Sequence, residues 1–276
     1  MKSFMKKKKE YLYSEEELVE KKRKIRVDIG RIVVAVLIIG LWQIASDVGW
    51  IDAYYWSSPL MIIHTACIQF AQNNLMYDVL FTAGSTILGF VFGTVGGAIL
   101  GLSFWWGNTY ARISEPYLVI FNAIPKLALA PILIIIFGIE FPSKVVIAFL
   151  MTIVSCALST LSGVKSVDTS LETLLYSLGA NRMQVFTKVV VPYTLPWIIS
   201  SLRINISLAL AGAIVGEFIA SSHGLGRMVI YAGTILDTTL VWVGVVLLSI
   251  LSILMYAGVV VLEKWLNKVL AINYIK

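Results

Sequence analysis

The sequence predicts an all-α polytopic membrane protein with six transmembrane helices. Three observations carry this prediction. Of 276 residues, 58% are hydrophobic and 14% charged, with a mean hydropathy of +0.85, whereas soluble domains are about a quarter charged. Apolar stretches recur at the length a helix needs to cross the hydrocarbon, about 20 residues. Basic residues are unevenly placed, with ten of the 22 lying before Gly30.

Residues 1–28 form a basic tail holding Lys6, Lys7, Lys8 and Lys9 and the cluster Lys21, Lys22, Arg23, Lys24 and Arg26. Such an arm suits nucleic acid or a membrane flank, and the apolar run after it selects the flank, so no nucleic acid partner is expected. The run lacks a small-residue cleavage site and reads as a retained helix. Residues 29–276 read as one transmembrane domain with spans at 31–48, 78–105, 116–139, 144–164, 197–219 and 239–262. The shorter stretch 59–72 is expected at the membrane surface, with Tyr54, Tyr55 and Trp56 at headgroup level.

With the amino terminus inside, the inside loops collect the tail, Arg112, Lys165, Arg182, Lys188, Lys264, Lys268 and Lys276. The outside loops then hold only Lys144 and Arg227. The positive-inside rule selects this arrangement, with both termini cytoplasmic. The second span carries Gly89, Gly93, Gly97 and Gly101 on one face. That stripe suits packing within the chain, or a subunit or pore-lining contact.

The inside loop 166–196 is long and structured in pattern. Leu171, Leu174, Leu175 and Leu178 recur at helical spacing, and Thr169 or Ser170 stands where a helix cap belongs. Gly179 suits a helix end that needs positive φ. A second helix is expected from Arg182 to Val191, ended by Pro192, with Pro196 opening the next span. The product is a hairpin whose tip is Gly179, Ala180, Asn181 and Arg182.

This loop resembles the cytoplasmic signature of bacterial ABC importer permeases. That signature opens on Glu-Ala-Ala, has Gly six residues after the Glu, then nine residues, Ile, any residue and Leu-Pro. Gly179, Val189, Val191 and Pro192 stand at the matching spacing. Thr173, Leu174 and Leu175 occupy the Glu-Ala-Ala positions, a departure, and Glu172 falls one residue early. The run from Ile124 through Pro125, Lys126 and Leu127 to Pro131, with Phe137-Gly138 after it, is similar to the nitrate/sulfonate/taurine branch. So are Gly216-Glu217-Phe218 and Gly224-Leu225-Gly226, so that the match covers residues 78–262.

The resemblance implies a type I ABC importer permease fold in the bacterial cytoplasmic (inner) membrane. It implies cytoplasmic ABC ATPase subunits that dock the loop, a second permease subunit with a homodimer as the default, and an extracytoplasmic solute-binding protein. It also implies a small solute such as an alkanesulfonate, taurine or nitrate, with pyrimidine or vitamin precursors as the alternative. The chain itself contains no Gly-Lys dipeptide and hence no G-x4-G-K-[ST] phosphate loop. ATP hydrolysis is therefore expected on a partner, and the chain is expected to be no enzyme.

Within the spans, Pro125, Lys126 and Pro131 mark a break. A lysine at membrane depth faces a cavity or partner, or snorkels to an interface. Lys126 is thus a candidate for attracting an anion on the translocation path. Glu217 is a candidate support for an outer gate beside residues 221–224. Arg203 is expected to snorkel or to meet the signature loop. Cys67, Cys156, His64 and His223 fit no metal spacing, so neither metal nor cofactor is expected. An ion-coupled secondary carrier remains the competing class, but its paired repeats with broken helices are not evident here.

Overall fold

The computed structural model describes residues 2–72 and 75–270. Lys276 lies outside the described residues, as do the side chains of Lys6, Lys7, Lys8, Lys9, Lys21, Lys22 and Lys24. The described residues form α-helices and connecting turns, in two units, Met1–Thr65 and Ala66–Lys276.

In the first unit, α1 (Lys2–Asp47) joins tail and first span in one helix, whose apolar part is Ile25–Asp47. Its Val, Ile and Leu side chains stand exposed, as a lipid-facing helix requires. Asp52 caps the short α2 (Ala53–Trp56) by accepting from Tyr54 N at 2.9 Å. α3 (Pro59–Gln72) begins in the first unit and ends in the second; its 14 residues are too few to span.

The second unit is built on α4 (Leu75–Ser103), α7 (Phe141–Lys165) and α10 (Val191–Ile219), with α11 (Leu225–Thr234) and α12 (Thr238–Val269) against α10. The glycine stripe of α4 lies on a matching four-residue ladder of α7. A Cβ on Gly89 would stand 2.3 Å from Ala148 Cβ, on Gly93 1.7 Å from Thr152 Oγ1, on Gly97 2.7 Å from Cys156 Cβ and on Gly101 2.4 Å from Thr160 Cβ. The two backbones therefore approach as only side-chain-free positions allow. Thr152 and Cys156 add hydrogen bonds to Gly89 O and Thr94 O at 3.3 and 3.2 Å. Gly93→Ala is expected to cost about 1–3 kcal/mol by overpacking. A thermal midpoint in detergent lowered by about 5 °C is the check, with Gly258→Ala unchanged because nothing lies near its Cβ.

The third span is broken where Pro125, Lys126 and Pro131 mark it. α5 (Asn108–Ala123) and α6 (Ala130–Phe137) are joined by a 3₁₀ turn, Lys126–Leu129, and the pair bends by 78°. Ile124, before Pro125, takes extended backbone at φ −62°, ψ 133°, the region a residue before proline is driven into. With this pair counted as one span, the described residues hold six candidates long and apolar enough to cross a membrane.

One expectation needs correction: Pro192 does not end a helix. α9 (Arg182–Val185) passes through a π-helical turn, Phe186–Val190, straight into α10, giving 38 continuous residues. Pro192 lies in the first turn of α10, where a missing N–H is tolerated, and the widened turn upstream absorbs the shift of register.

Candidate functional site

Two groups of residues stand out, one after the last turn of α7 and one around its first turn. After α7 comes the hairpin. α8 (Thr169–Ser177) is capped by Asp168, which accepts from Ser170 N at 2.8 Å, so the cap is neither Thr169 nor Ser170. Hydrogen bonds from the Ser170 backbone and then its side chain hold the Asp168 carboxyl below the usual carboxylate range. At the other end of α8, Gly179 sits at φ +83°. Gly179 N bonds Tyr176 O and Ala180 N bonds Leu175 O, both at 3.0 Å. Together these bonds form a Schellman motif. Asn181 then opens α9 with a reciprocal capping box, Gln184 N to Asn181 Oδ1 and Asn181 N to Gln184 Oε1, both 2.8 Å.

The tip is thus a rigid corner, and it presents apolar side chains. Leu171, Leu174, Leu178 and Met183 are exposed, Leu178 by 77%. Thr173 is exposed and bonds Thr169 O, while Leu175, Ala180 and Val189 are half-buried and Pro192 is exposed. Arg182 lies over two indole rings, 5.3 Å from the Trp105 centroid and 5.2 Å from that of Trp106, and donates to Trp106 O. Trp105 Nε1 in turn donates to Glu172 Oε1 at 3.1 Å. Neither tryptophan was singled out by sequence; both lie in a 3₁₀ turn, Phe104–Trp106, at the end of α4.

The second group is centred on Glu217, near the end of α10 and only 1% exposed. Its Oε2 accepts from Thr82 Oγ1 at 3.0 Å and Gly226 N at 2.7 Å, while Oε1 is buried without a hydrogen-bond partner. Thr82 Oγ1 also accepts from Leu225 N, and Asp78 Oδ1 accepts from Gly224 N at 2.7 Å. Gly224 has φ +112°, and a Cβ there would fall 2.4 Å from Glu217 Cδ, so both backbone and space demand glycine.

Lys144, which the charge pattern assigned to an outside loop, is fully buried in the first turn of α7. Its ammonium donates to Ile139 O, Ala220 O and Ser143 Oγ. It ties the turn after α6 to the loop after α10. Ser222 reinforces that tie with a 2.6 Å bond to Glu140. The signal for this network was the spacing of Gly216-Glu217 from Gly224-Leu225-Gly226; the role of Lys144 had none.

Pro125, Lys126 and Pro131 stand together at the break of the α5–α6 pair, on a different connection from Glu217. Lys126 Nζ donates to Asn122 O at 3.1 Å and Asn122 Oδ1 at 3.3 Å, meeting the carbonyls left open where α5 stops. Arg203 finds its partner on another helix rather than on the loop. It forms a two-pronged pair with Glu263 of α12, at 2.6 and 3.1 Å.

The chain is similar to known membrane transport proteins. A family model described as "Binding-protein-dependent transport system inner membrane component" matches residues 93–268. The formylaminopyrimidine transport permease of Halalkalibacterium halodurans is 32% identical over 82% of this chain and 90% of its own length. The taurine transport system permease of Escherichia coli is 33% identical over 82% of this chain and 75% of its own. Among solved structures, an inward-facing MetNI methionine ABC transporter chain superposes with a TM-score of 0.61 at 22% identity, covering 69% of this chain and 94% of that one.

Proposed function

We propose a function from one premise: this chain belongs to the family of binding-protein-dependent transport system inner membrane components. It is a multi-pass inner-membrane permease subunit, not an enzyme, and ATP is hydrolysed on a separate ATPase. We infer that the hairpin of α8 and α9 lies in the cytoplasm, with both termini, and is the surface that docks that ATPase. One observation carries this reading. A doubly capped, rigid corner exposes an apolar face between two membrane-spanning helices, a shape suited to receiving force rather than to binding a solute. Its basic neighbours Arg112, Lys165, Arg182 and Lys188 give it the charge of a cytoplasmic face.

At the other end of α7 we assign Glu217 to holding the loop after α10 closed against α4, as part of an outer gate. A second copy of the chain completes the pathway. The solute is a small anion or zwitterion of the sulfonate or taurine kind, a reading supported by the taurine relative and by Lys126 at the break of the third span. The formylaminopyrimidine relative favours a pyrimidine precursor as the second reading.

The test is reconstitution in liposomes with the ATPase and a binding protein. Uptake and ATP hydrolysis that both require the loaded binding protein are expected; uptake without ATP sinks the reading in favour of an ion-coupled carrier. Lys126→Met is expected to slow uptake of an anionic solute by about tenfold, the order of one lost charge-assisted contact, with assembly unchanged. Unaltered uptake contradicts the anion contact.

A further inference from the structure

The turn that ends α4 touches every part of the hairpin. Glu172 of α8 takes the indole N–H of Trp105 at 3.1 Å. Arg182 of α9 stacks on both indoles and bonds the Trp106 carbonyl. Phe186 of the π turn meets both rings, with centroids at 5.5 and 5.3 Å. The indoles themselves stand edge to face at 5.4 Å and 82°. These contacts add to the attachment the hairpin already has through its two chain connections and the fully buried Val185 and Val190. With these contacts the hairpin shares a joint with α4, and α4 is held to α7 along its glycine stripe with no side-chain cushion.

We propose that Trp105 and Trp106, with Arg182 clamped on them, are positioning residues for energy coupling. They are the joint that carries a displacement of the hairpin into α4 and from there into α7. The inference rests on the reading that the hairpin docks the ATPase. Glu172 is part of this joint and faces the indole of Trp105, which sets the side of α8 turned to the bundle apart from the exposed leucines. A planar guanidinium suits the joint because it stacks on the rings and reaches a carbonyl at once, which an ammonium does less well.

The experiment uses the full complex with its ATPase and binding protein in liposomes, and measures ATP hydrolysed and solute taken up in the same sample. In the double variant Trp105→Leu/Trp106→Leu the ATPase is expected to remain bound at wild-type stoichiometry. ATP consumed per solute should rise by about fivefold or more, and stimulation by the loaded binding protein should be lost. Trp105→Phe/Trp106→Phe keeps two ring faces and should restore most of the coupling. Arg182→Met, which leaves the indoles in place, should shift the same ratio in the same direction even if the double leucine variant does not assemble. An unchanged ratio in Arg182→Met, or in an assembled double leucine variant, overturns the joint while leaving the docking reading intact. Wild-type chain that recruits no ATPase overturns both.

Discussion

Leu178→Asp is expected to strip the ATPase from the complex. Leu178 ends α8 and is 77% exposed, beside Leu174 at 56%. Water gains nothing from such residues, but a groove in a partner does. Burying one leucine side chain contributes about 1.5–3 kcal/mol. A carboxylate in its place forfeits that contribution and must be desolvated without a partner. Together these amount to at least about 2.7 kcal/mol, or a hundredfold in affinity. The side chain packs little against the chain itself, so the hairpin keeps its fold. Co-purification in mild detergent reads the result directly: ATPase at full stoichiometry on Leu178→Asp removes this face from the interface.

Lys144→Met is expected to produce the largest loss of stability of any single change in the bundle. The ammonium is fully buried and satisfies Ile139 O and Ala220 O. Methionine fills the volume but leaves both carbonyls unpaired, at about 1–3 kcal/mol each. Glu217, three residues before Ala220, holds the same loop through Gly226 N. A fall of about 10 °C in the thermal midpoint in detergent is expected from a loss of this size. Adding Glu217→Gln should then cost less than it does in the wild-type background, because the two groups are coupled. A single variant that melts with wild type, or two effects that simply add, contradicts the network.

How much of this was legible beforehand follows from the kind of interaction. Spans were readable because an apolar helix announces itself by length. Gly179 was readable because a Schellman corner needs a positive φ, and glycine supplies it without strain. The glycine stripe pointed to close approach, yet its partner ladder on α7, running from Ala148 to Thr160, looks like any helix face until the two are set together. The break at Pro125 was visible, but its 78° bend was not: proline frees a carbonyl, and only the fold decides whether the chain turns. Pro192 misled, because proline ends a helix only where the backbone cannot widen, and here a π turn does. The charge pattern places Lys144 outside because such patterns see only sequence neighbours. The carbonyls that hold it come from two other connections, one of them 76 residues away. Trp105 and Trp106 were hidden for the same reason.

That the Gly179 corner faces the cytosol is tested most directly by the accessibility of position 181. The native Cys156 is buried, so a Cys67→Ser background leaves Asn181→Cys as the one thiol within reach. In intact cells a membrane-impermeant maleimide should leave this variant unlabelled. In inside-out vesicles the same reagent should label it, and added ATPase should protect it. Labelling from outside intact cells would contradict the account at its root, because the corner would then lie on the wrong side of the membrane from ATP.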